Sequence, residues 1–313
     1  MIDAAVDAGA DAVKFQTFKA EELVTVKAPK AEYQLHTTDP SESQFEMIKK
    51  LELSKEDHLK LDRYAKEKGI IFLSTPFDEK SVDLLLEVHV PLIKVSSGEV
   101  SNHPFLRYIA KKGLPIILST GMSTLEEVRE AISAIREEGC KDLIVLHCTS
   151  NYPARIEDSN LRAMRTMAEE FGVPVGYSDH TPGIYVPLAA VALGACVLEK
   201  HFTLDKNLPG PDQAASLESY ELKEMVTGIR MIEKALGSAI KAPVKSEIEV
   251  REVARKSIVA RINISKGSEI TKNLIAFKRP GNGIAHKEVN KVLGKIAKND
   301  IYAEELITFE NLE

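Results

Sequence analysis

A repeated pattern along the first part of the chain constrains the fold more than any other feature of the sequence. From Ala10 to about Thr203, a short apolar run is followed by a polar cluster and then by a longer segment with helical periodicity. The apolar runs are too short for helices, and most are flanked by glycine or proline, which favours buried parallel strands. The runs are Ala10–Phe15, Ile70–Leu73, Pro91–Val95, Pro115–Leu118, Leu143–Leu146, Val173–Gly176 and Ala195–Leu198.

Segments with helical periodicity separate these runs. In one of them, Leu125, Val128, Ala131, Ile132 and Ile135 recur at a spacing that places them on one face of a helix. Strands that alternate with helices form a parallel sheet with right-handed crossovers, and that sheet is either doubly wound or closed into a barrel. The predicted helices are Ser54–Lys68, Asp78–His89, Pro104–Lys112, Thr124–Glu138, Asn160–Phe171 and Pro182–Leu193.

Each predicted strand ends in polar or reactive side chains. In a doubly wound sheet the active site lies where the strand order reverses, so only a few strand ends contribute to it. In a barrel the C-terminal ends of all strands lie on one rim. The polar-tipped strands therefore predict an α/β fold of the TIM (β/α)8 type. Because a complete barrel needs eight strands and the chain opens in a helix-like segment, Ile2–Ala8, we expect the first strand to be missing from this chain.

The pattern changes in the last third of the chain. Glu218–Leu236 is predicted to be one long helix that ends at Gly237, and short strands are predicted at Ser257–Ile262, Leu274–Lys278 and Ile301–Ile307. A unit of about 60 residues has a marginal core by itself, so we expect it to dock on the barrel or on a partner subunit. The predicted organisation is a barrel domain at 1–238, a linker at 239–254 and a small domain at 255–313.

Composition excludes several classes of protein. The 41 basic and 47 acidic residues give a net charge of −6, which argues against a protein that binds duplex nucleic acid. Three cysteines without a CxxC spacing argue against a disulfide framework and a cysteine-based zinc site, and they fit a reducing compartment. No apolar stretch approaches the roughly 18 residues of a membrane span, and the N-terminus does not resemble a signal peptide. We therefore expect a cytoplasmic protein without a nucleic-acid or membrane partner.

Two histidines follow successive predicted strands. His180 and His201 would lie side by side on the rim of a barrel, where such a pair is typical of a divalent-metal site completed by water or substrate. Asp212, in the loop after the last predicted strand, could add an oxygen ligand or orient a histidine. Two hydrogen-bonded rim histidines without a metal are the alternative, and the spacing alone leaves both open.

Two lysines, Lys14 and Lys94, stand at strand ends among several hydroxyl side chains. Cations with many hydroxyls suit an anion rich in oxygens, such as one that carries phosphate and carboxylate groups. The alternative is a set of surface lysines and turn-forming serines, but both lysines directly follow apolar strand residues, where a solvated lysine is less expected. The neighbouring hydroxyls are those of Thr75, Ser97, Ser119 and Ser150.

Four further residues each allow two interpretations. Glu99 could act as an acid or base, or cap the helix that follows it. Tyr152 could bind a ligand or pack at the rim, and Arg279, in a rigid basic turn, could reach a ligand in a neighbouring subunit or remain solvated. Cys148 follows His147, but we discount a Cys–His nucleophile because adjacent residues of one strand point in opposite directions.

Nine strings of the sequence resemble those of the sialic acid synthases, which are nonulosonate synthases that condense phosphoenolpyruvate with an N-acetylated amino sugar. The strings run in order from the first residues to about Gly294 and are KFQT, FLSTPFD, IKVSSGE, ILSTGMS, LHCTSNYP, GYSDHT, LEKHFTLD, PGPD and KRPGNG. The resemblance implies a (β/α)8 barrel followed by a small antifreeze-like domain of the SAF type. It also implies a domain-swapped homodimer in which the small domain of one chain covers the barrel mouth of the other.

The same resemblance implies roles for individual residues. His180 and His201 would be the protein ligands of a divalent metal, manganese or magnesium, that polarises the aldehyde of the open-chain sugar. Glu99 would be a catalytic carboxylate, and Arg279 would come from the partner's small domain to bind the sugar N-acetyl group. The implied phosphoenolpyruvate contacts are Lys14, Thr75, Lys94, Ser97, Ser119 and Ser178. The implied sugar-side or metal-water positions are Gln16, Phe77, Tyr152 and Asp212.

The resemblance also implies a reaction. Phosphoenolpyruvate, N-acetylmannosamine and water would give N-acetylneuraminate and phosphate by C–O cleavage. One alternative is a synthase for N,N'-diacetyllegionaminate or another nonulosonate, which uses a di-N-acetylated 6-deoxy sugar. Another is an inactive sugar-binding relative, because the Glu-Ile-Gly-x-Asn-His-x-Gly motif of the family's first strand, with its proposed acid/base glutamate, does not occur here.

Overall fold

Parallel strands form the centre of the first part of the chain, at the positions of the apolar runs. The computed structural model describes residues 1–313, apart from the side chain of His36. Every strand predicted in this part is present, with bounds shifted by a few residues toward its C-terminal end. The strands are β1 (Ala12–Thr17), β2 (Ile71–Pro76), β3 (Ile93–Val95), β4 (Ile116–Ser119), β5 (Leu143–Cys148), β6 (Val175–Asp179) and β7 (Leu198–Lys200).

Pairing places these strands side by side in chain order. β1 and β2 pair in parallel, from Ala12 opposite Ile71 to Thr17 opposite Pro76. The others form a parallel sheet in the order β3-β4-β5-β6-β7, and β2 packs beside β3. β1 and β7 are the outer strands, and neither has a strand on its other side among the described residues. The arrangement is a parallel-strand half-barrel, which confirms the predicted α/β barrel-type fold.

Helices follow the predicted segments wherever hydrophobic periodicity was clear. The helices of this unit are α1 (Ile2–Ala8), α2 (Ala20–Leu23), α3 (Glu32–Thr37), α4 (Gln44–Lys49), α5 (Lys55–Lys68), α6 (Glu79–Val88), α7 (His103–Ala110), α8 (Leu125–Glu137), α9 (Ala163–Phe171), α10 (Tyr185–Ala192) and α11 (Ser219–Leu236). α8 begins after Thr124, whose hydroxyl accepts a hydrogen bond from the backbone N–H of Glu127, and α5 ends at Gly69, whose left-handed φ of 73° suits glycine. The short helices α2, α3 and α4, in the long connection after β1, had no periodic pattern to reveal them. None of the described helices is long and apolar enough to cross a membrane.

The apolar core lies between the strands and these helices. The stripe predicted on α8 is buried from Val128 to Ile135, and it belongs to the same cluster as Ile93, Leu118 and Val145 of the sheet. Each fully buried aliphatic side chain stabilises the fold by about 1.5–3 kcal/mol. Because successive strand residues face opposite sides, this core uses one face of each strand, and the other face carries the polar side chains of the strand ends together with buried apolar residues such as Ile117 and Leu146.

The last part of the chain forms a second unit with its own core. The two units are Met1–Gly237 and Ser238–Glu313. In the second, the first two predicted strands are present as β8 (Ser257–Ala260) and β9 (Ile275–Lys278), and the structure pairs them antiparallel. The third predicted strand, Ile301–Ile307, contributes only isolated bridges, in which Ile301 and Leu306 take part. Its apolar core includes Ile258, Ile264, Ile270, Ile275 and Ile307.

The segment predicted to be a linker contains a helix. α12 (Lys245–Ala254) begins after Pro243, and the carboxylate of Glu247 accepts a hydrogen bond from the backbone N–H of Val244 at its start. None of its residues is buried. The sequence did not reveal this helix because exposed apolar and charged residues alternate along it without one apolar face.

Candidate active site

A charged centre lies at the C-terminal ends of β3 and β7. The side chain of Lys94 is 5% exposed, and its Nζ lies 3.4 Å from Oε2 of Glu199. Ser178, which is opposite Glu199 in the β6–β7 register, donates a hydrogen bond of 2.9 Å to Oε1. Lys14 acts on the same carboxylate, and its Nζ lies 3.4 Å from the hydroxyl of Thr75.

Burial and neighbouring charges set the protonation of this centre. Burial lowers the pKa of Lys94, and the carboxylate of Glu199 opposes that effect. Burial also raises the pKa of Glu199, but Lys94, Lys14 and the Ser178 hydroxyl outweigh it and hold that pKa at about 2. Glu199 is therefore ionised at neutral pH, and two lysines surround one carboxylate. An anionic ligand would complete the charge balance.

Small polar side chains surround Gly121 beside this centre. The backbone N–H of Gly121 donates a 2.9 Å hydrogen bond to Ser97 Oγ. A Cβ at Gly121 would lie 2.1 Å from Ser150 Oγ and 3.2 Å from Cys148 Sγ, so this close approach requires glycine. The hydroxyl of Ser119 is buried, and it has no hydrogen-bond partner among the described residues. A buried hydroxyl without a partner is available to a ligand oxygen.

Two imidazoles and two tyrosines line the adjacent part of the site. The ring centroids of His180 and His201 are 5.4 Å apart, and the Tyr152 ring lies 4.2 Å from His180 and 5.7 Å from His201. Tyr33 of α3 packs on Tyr152 at 5.4 Å. Burial raises the pKa of Tyr152, and it raises the pKa of Tyr33 to about 12, so both phenols are neutral.

The histidine geometry fits a divalent cation. Nδ1 of His180 lies 2.8 Å from the Thr149 carbonyl oxygen. Because a carbonyl only accepts, this contact places the ring proton on Nδ1 and leaves the lone pair of Nε2 available to a cation. Burial lowers the pKa of His180, but the Cys148 sulfur and the Thr149 carbonyl outweigh it and raise the pKa. Burial, with Lys14 and His180 nearby, lowers the pKa of His201 to about 3, so its imidazole is neutral.

A carboxylate lies beside His201. Asp212 Oδ2 lies 3.7 Å from His201 Nδ1, and burial raises the pKa of Asp212. The described side chains provide no cluster of three or more His, Cys, Asp or Glu residues arranged around one ion. A cation held by the two histidines would therefore take its other ligands from water or substrate, as is usual for magnesium and manganese sites.

Three other predicted site residues are Gln16, Phe77 and Glu99, and the side-chain contacts of Phe77 and Glu99 are with residues outside the lysine centre and the histidine pair. Gln16 is exposed at the end of β1, opposite Thr75 in the strand register, and Phe77 packs edge-on against Phe18. Glu99 is half-buried in a 3₁₀ turn, where its carboxylate accepts a 2.7 Å hydrogen bond from Asn102 at the start of α7. This hydrogen bond supports the interpretation of Glu99 as a residue that stabilises the start of the helix. Its catalytic role remains a prediction.

Arg279 belongs to the second unit. Its side chain is exposed, and Nε donates a 3.1 Å hydrogen bond to the carbonyl of Ala254. The predicted role of Arg279 in a partner's site remains a prediction.

The sequence interpretation missed or discounted three residues that the fold brings to the site. Glu199 lies two residues before His201, and this period-two spacing on one strand could have revealed it. Tyr33 lies in a connection without a periodic pattern. Cys148 Sγ is 3.7 Å from His180 Nδ1, whereas His147 hydrogen-bonds the Ser159 carbonyl on the opposite side. The two neighbours do point apart, but Cys148 meets a different histidine.

Comparison with known proteins identifies the family of this chain. Residues 1–241 match the model of the NeuB family, and residues 255–313 match that of the SAF domain. An N,N'-diacetyllegionaminic acid synthase of Legionella pneumophila is 48% identical over 100% of this chain and 89% of its own length. The human N-acetylneuraminate-9-phosphate synthase is 38% identical over 98% of this chain and 87% of its own length.

A solved structure is similar as well. The N-acetylneuraminic acid synthetase of Leptospira borgpetersenii, crystallised with citrate, superposes with a TM-score of 0.70 and 37% identity over 80% of this chain and 82% of that one. These matches confirm the resemblance seen in the sequence strings. The chain belongs to the NeuB family, is homologous to sialic acid and legionaminic acid synthases, and carries a C-terminal SAF domain.

Proposed function

We propose that this protein is a nonulosonate synthase that condenses phosphoenolpyruvate with the open-chain form of an N-acetylated amino sugar. One observation carries the proposal: a buried cluster of lysines and hydroxyls adjoins a pair of imidazoles at the same end of the half-barrel. The first part suits an anion with phosphate and carboxylate groups, and the second suits an aldehyde that must be polarised.

Phosphoenolpyruvate would occupy the space between Lys94, Lys14 and the Gly121 turn. The two lysines offset its negative charge, and the hydroxyl of Ser119 gains the hydrogen-bond partner that it lacks. Glu199 holds Lys94 in place through their ion pair and prevents the empty site from carrying two uncompensated cations. The other proposed contacts of this substrate are Thr75, Ser97, Ser150 and Ser178.

A manganese or magnesium ion would be held by His180 and His201. Bound there, it would act as a Lewis acid on the sugar aldehyde. Asp212 would accept hydrogen bonds from water or from a sugar hydroxyl beside His201. Tyr152 would form the wall between the two histidines and the sugar.

The reaction needs orientation and charge stabilisation more than a nucleophile. C3 of phosphoenolpyruvate attacks the aldehyde carbon, and the carbonyl oxygen takes up a proton. Water adds to the cationic C2 and loses one proton. Phosphate then leaves with its bridging oxygen by C–O cleavage, while the new C2 hydroxyl loses its remaining proton and becomes the ketone of the product. The lysines stabilise the departing phosphate, and Glu99 is the proposed proton acceptor or donor near the new bond.

The comparisons support a di-N-acetylated 6-deoxy sugar as the acceptor. Identity to the L. pneumophila legionaminic acid synthase is 48%, against 38% to the human sialic acid 9-phosphate synthase. N-acetylmannosamine, the acceptor implied by the sequence strings, is the competing candidate. A domain-swapped homodimer, in which Arg279 reaches the partner's acceptor site, is part of this proposal.

A phosphate-release assay tests the proposed function. Phosphoenolpyruvate is supplied with N-acetylmannosamine or with 2,4-diacetamido-2,4,6-trideoxymannose, before and after treatment with EDTA. We expect the greater kcat/KM with the di-N-acetylated sugar, loss of turnover on chelation, and recovery with Mn²⁺ or Mg²⁺. Absence of release with either sugar would support an inactive sugar-binding relative, and turnover unaffected by EDTA would contradict the metal role.

A further inference from the structure

A buried ion pair lies on the outer face of β6 and β7, directly behind the two site histidines. The side chains of Asp179 and Lys200 are 0% and 2% exposed, and they face each other at the last position of the β6–β7 register. The site residues Ser178, His180, Glu199 and His201 alternate with this pair along the two strands. The pair is therefore outside the reaction space described above.

Lys200 hydrogen-bonds both residues that flank His180. Its Nζ donates hydrogen bonds to the carboxylate of Asp179 and to the carbonyl of Thr181. The same carboxylate accepts hydrogen bonds from Thr181, at 3.1 Å from the backbone N–H and 2.9 Å from the hydroxyl. Asp179 and Thr181, on either side of His180, are therefore both bonded to Lys200, the residue before His201.

β7 is a short strand with one strand partner. It has three residues, and among the described strands only β6 pairs with it. Just beyond its end, the backbone N–H of Leu217 donates a 2.9 Å hydrogen bond to the His201 carbonyl, and the N–H of Thr203 donates one of 2.7 Å to the Leu217 carbonyl. The ladder ends at Asp179 and Lys200, one residue before each imidazole. The His180 ring has a separate anchor at the carbonyl of Thr149, the residue after β5, whereas the partner of His201 Nδ1 is Asp212 Oδ2 at 3.7 Å.

A buried ion pair is a poor way to gain stability. Removing two charges from water costs several kcal/mol per ion, and well-packed apolar residues of similar volume often stabilise a fold as much or more. The pair needs another reason to occupy this position, and the geometry supplies one. Two imidazoles can share one ion only if both nitrogens lie about 2.0–2.2 Å from it, so a shift of 1 Å in one strand would break the arrangement.

We propose that the Asp179–Lys200 ion pair is a positioning device that fixes His201 relative to His180 and thereby makes the two imidazoles able to bind one divalent cation. The inference rests on the metal site of the proposed function. Asp179 and Lys200 touch neither cation nor substrate, and they act through the backbone of the two strand ends.

Cobalt binding to the substrate-free protein tests this role without measuring turnover. The decisive variant is the double substitution Asp179→Asn and Lys200→Met, which removes the pair without leaving an unpaired buried charge. Calorimetry gives the Co²⁺ affinity, visible absorption reports the Co²⁺ coordination, and thermal unfolding of the metal-free protein reports stability. Phosphoenolpyruvate affinity is measured alongside, since its proposed contacts do not include the pair.

We expect the double variant to bind Co²⁺ about 10- to 100-fold more weakly than the wild type, the usual effect of altering groups behind metal ligands. Its Co²⁺ spectrum should change, and its phosphoenolpyruvate affinity should stay within about twofold. Ile135→Ala is the matched control, because it removes buried apolar volume from α8 and lowers stability without touching β6 or β7. That variant should keep the wild-type Co²⁺ affinity and spectrum.

Two results would overturn the inference, and they are distinguishable. A double variant with the affinity and spectrum of the wild type would show that the pair does not position the histidines, while the metal site would stand. A wild-type protein that binds no Co²⁺ would remove the metal from the proposed function, and the inference would fall with it. If the double variant melts too low for binding measurements, Asp179→Leu combined with Lys200→Met, an apolar pair that leaves no buried charge and no hydrogen bond between the two side chains, gives the same comparison, and wild-type Co²⁺ binding there would also refute the role.

Discussion

Lys94 connects the stability of the barrel end to its proposed affinity for phosphoenolpyruvate, and the two can be separated by mutation. Lys94→Met keeps the length and apolar stem of the side chain but removes its charge. Nζ lies 3.4 Å from Glu199 Oε2, where the attraction of two unit charges at an effective dielectric constant of about 20 is about 5 kcal/mol. Removing one partner of a buried pair costs about 3–5 kcal/mol because the other charge is left uncompensated.

The structure places the expected loss at the lower end of that range. Lys14 also acts on Glu199, and the hydroxyl of Ser178 remains as a donor at 2.9 Å, so the carboxylate keeps part of its support. We expect Lys94→Met to lower the free energy of unfolding in urea by about 3 kcal/mol. Loss of one charge-assisted hydrogen bond, about 1.5–3 kcal/mol, should weaken phosphoenolpyruvate binding by about 10- to 150-fold in calorimetry.

A second substitution separates these two effects. In Lys94→Met combined with Glu199→Gln, no buried charge lacks a partner, and Ser178 can still donate to the Gln side-chain oxygen. Stability should return to within about 1 kcal/mol of the wild type, while phosphoenolpyruvate affinity stays low. Lys112→Met is the control, because Lys112 pairs with Asp83 at 2.7 Å on the outer surface and should change neither quantity greatly. Recovery of affinity in the double variant, or an unchanged stability in Lys94→Met, would refute the argument.

Three further outcomes follow from the same structure. Ser119→Ala removes a buried hydroxyl without a partner, so the free energy of unfolding should stay equal or rise by up to about 1 kcal/mol while phosphoenolpyruvate affinity falls; a clear loss of stability in urea titrations would contradict this. Burial by itself would raise the pKa of Glu52, but hydrogen bonds from the Ala20 N–H, Lys19 and Lys49 outweigh it. They hold that pKa at about 2, below the ordinary value of 4.5. The contribution of the Glu52 carboxylate to stability is therefore complete above pH 4.5 and is lost as the pH falls toward 2. Glu52→Gln should lower the urea midpoint more at pH 6 than at pH 3, and an equal decrease at both pH values would refute the assignment. For the proposed domain-swapped dimer, mixing Arg279→Ala with His180→Ala chains should restore part of the phosphate release, because one site per mixed dimer keeps both residues; mixed dimers of folded chains that recover no activity would place Arg279 in the site of its own chain.

The amino-acid sequence alone was sufficient for the strands of the half-barrel, for the longer helices between them and for their order. The buried stripe of α8 and the short apolar runs of β1 to β7 are local patterns, and each was predicted to within a few residues. The polar strand ends also identified most of the candidate site, because parallel strands of a barrel direct the same ends to one rim. The family strings then supplied substrates and roles that no periodicity contains.

Short or irregular segments escaped that approach. Helices α2 to α4 have four to six residues, which is too short for a period of 3.6 to be visible. α12 has no apolar face, so nothing in its pattern separates it from a linker. The strand predicted at Ile301–Ile307 has the alternation of a strand but pairs only through isolated bridges.

Only the tertiary structure decided which side chains meet. Lys94 and Glu199 are 105 positions apart in the numbering, and their 3.4 Å contact depends on the curvature of a sheet that no local pattern records. The same holds for Cys148 beside His180, for Tyr33 on Tyr152 and for the unpartnered hydroxyl of Ser119. The burial and the electrostatic field of a side chain depend on every strand packed around it. The lowered pKa of Glu199 and the placement of Asp179 against Lys200 are therefore properties of the assembled strands and not of β6 or β7 alone.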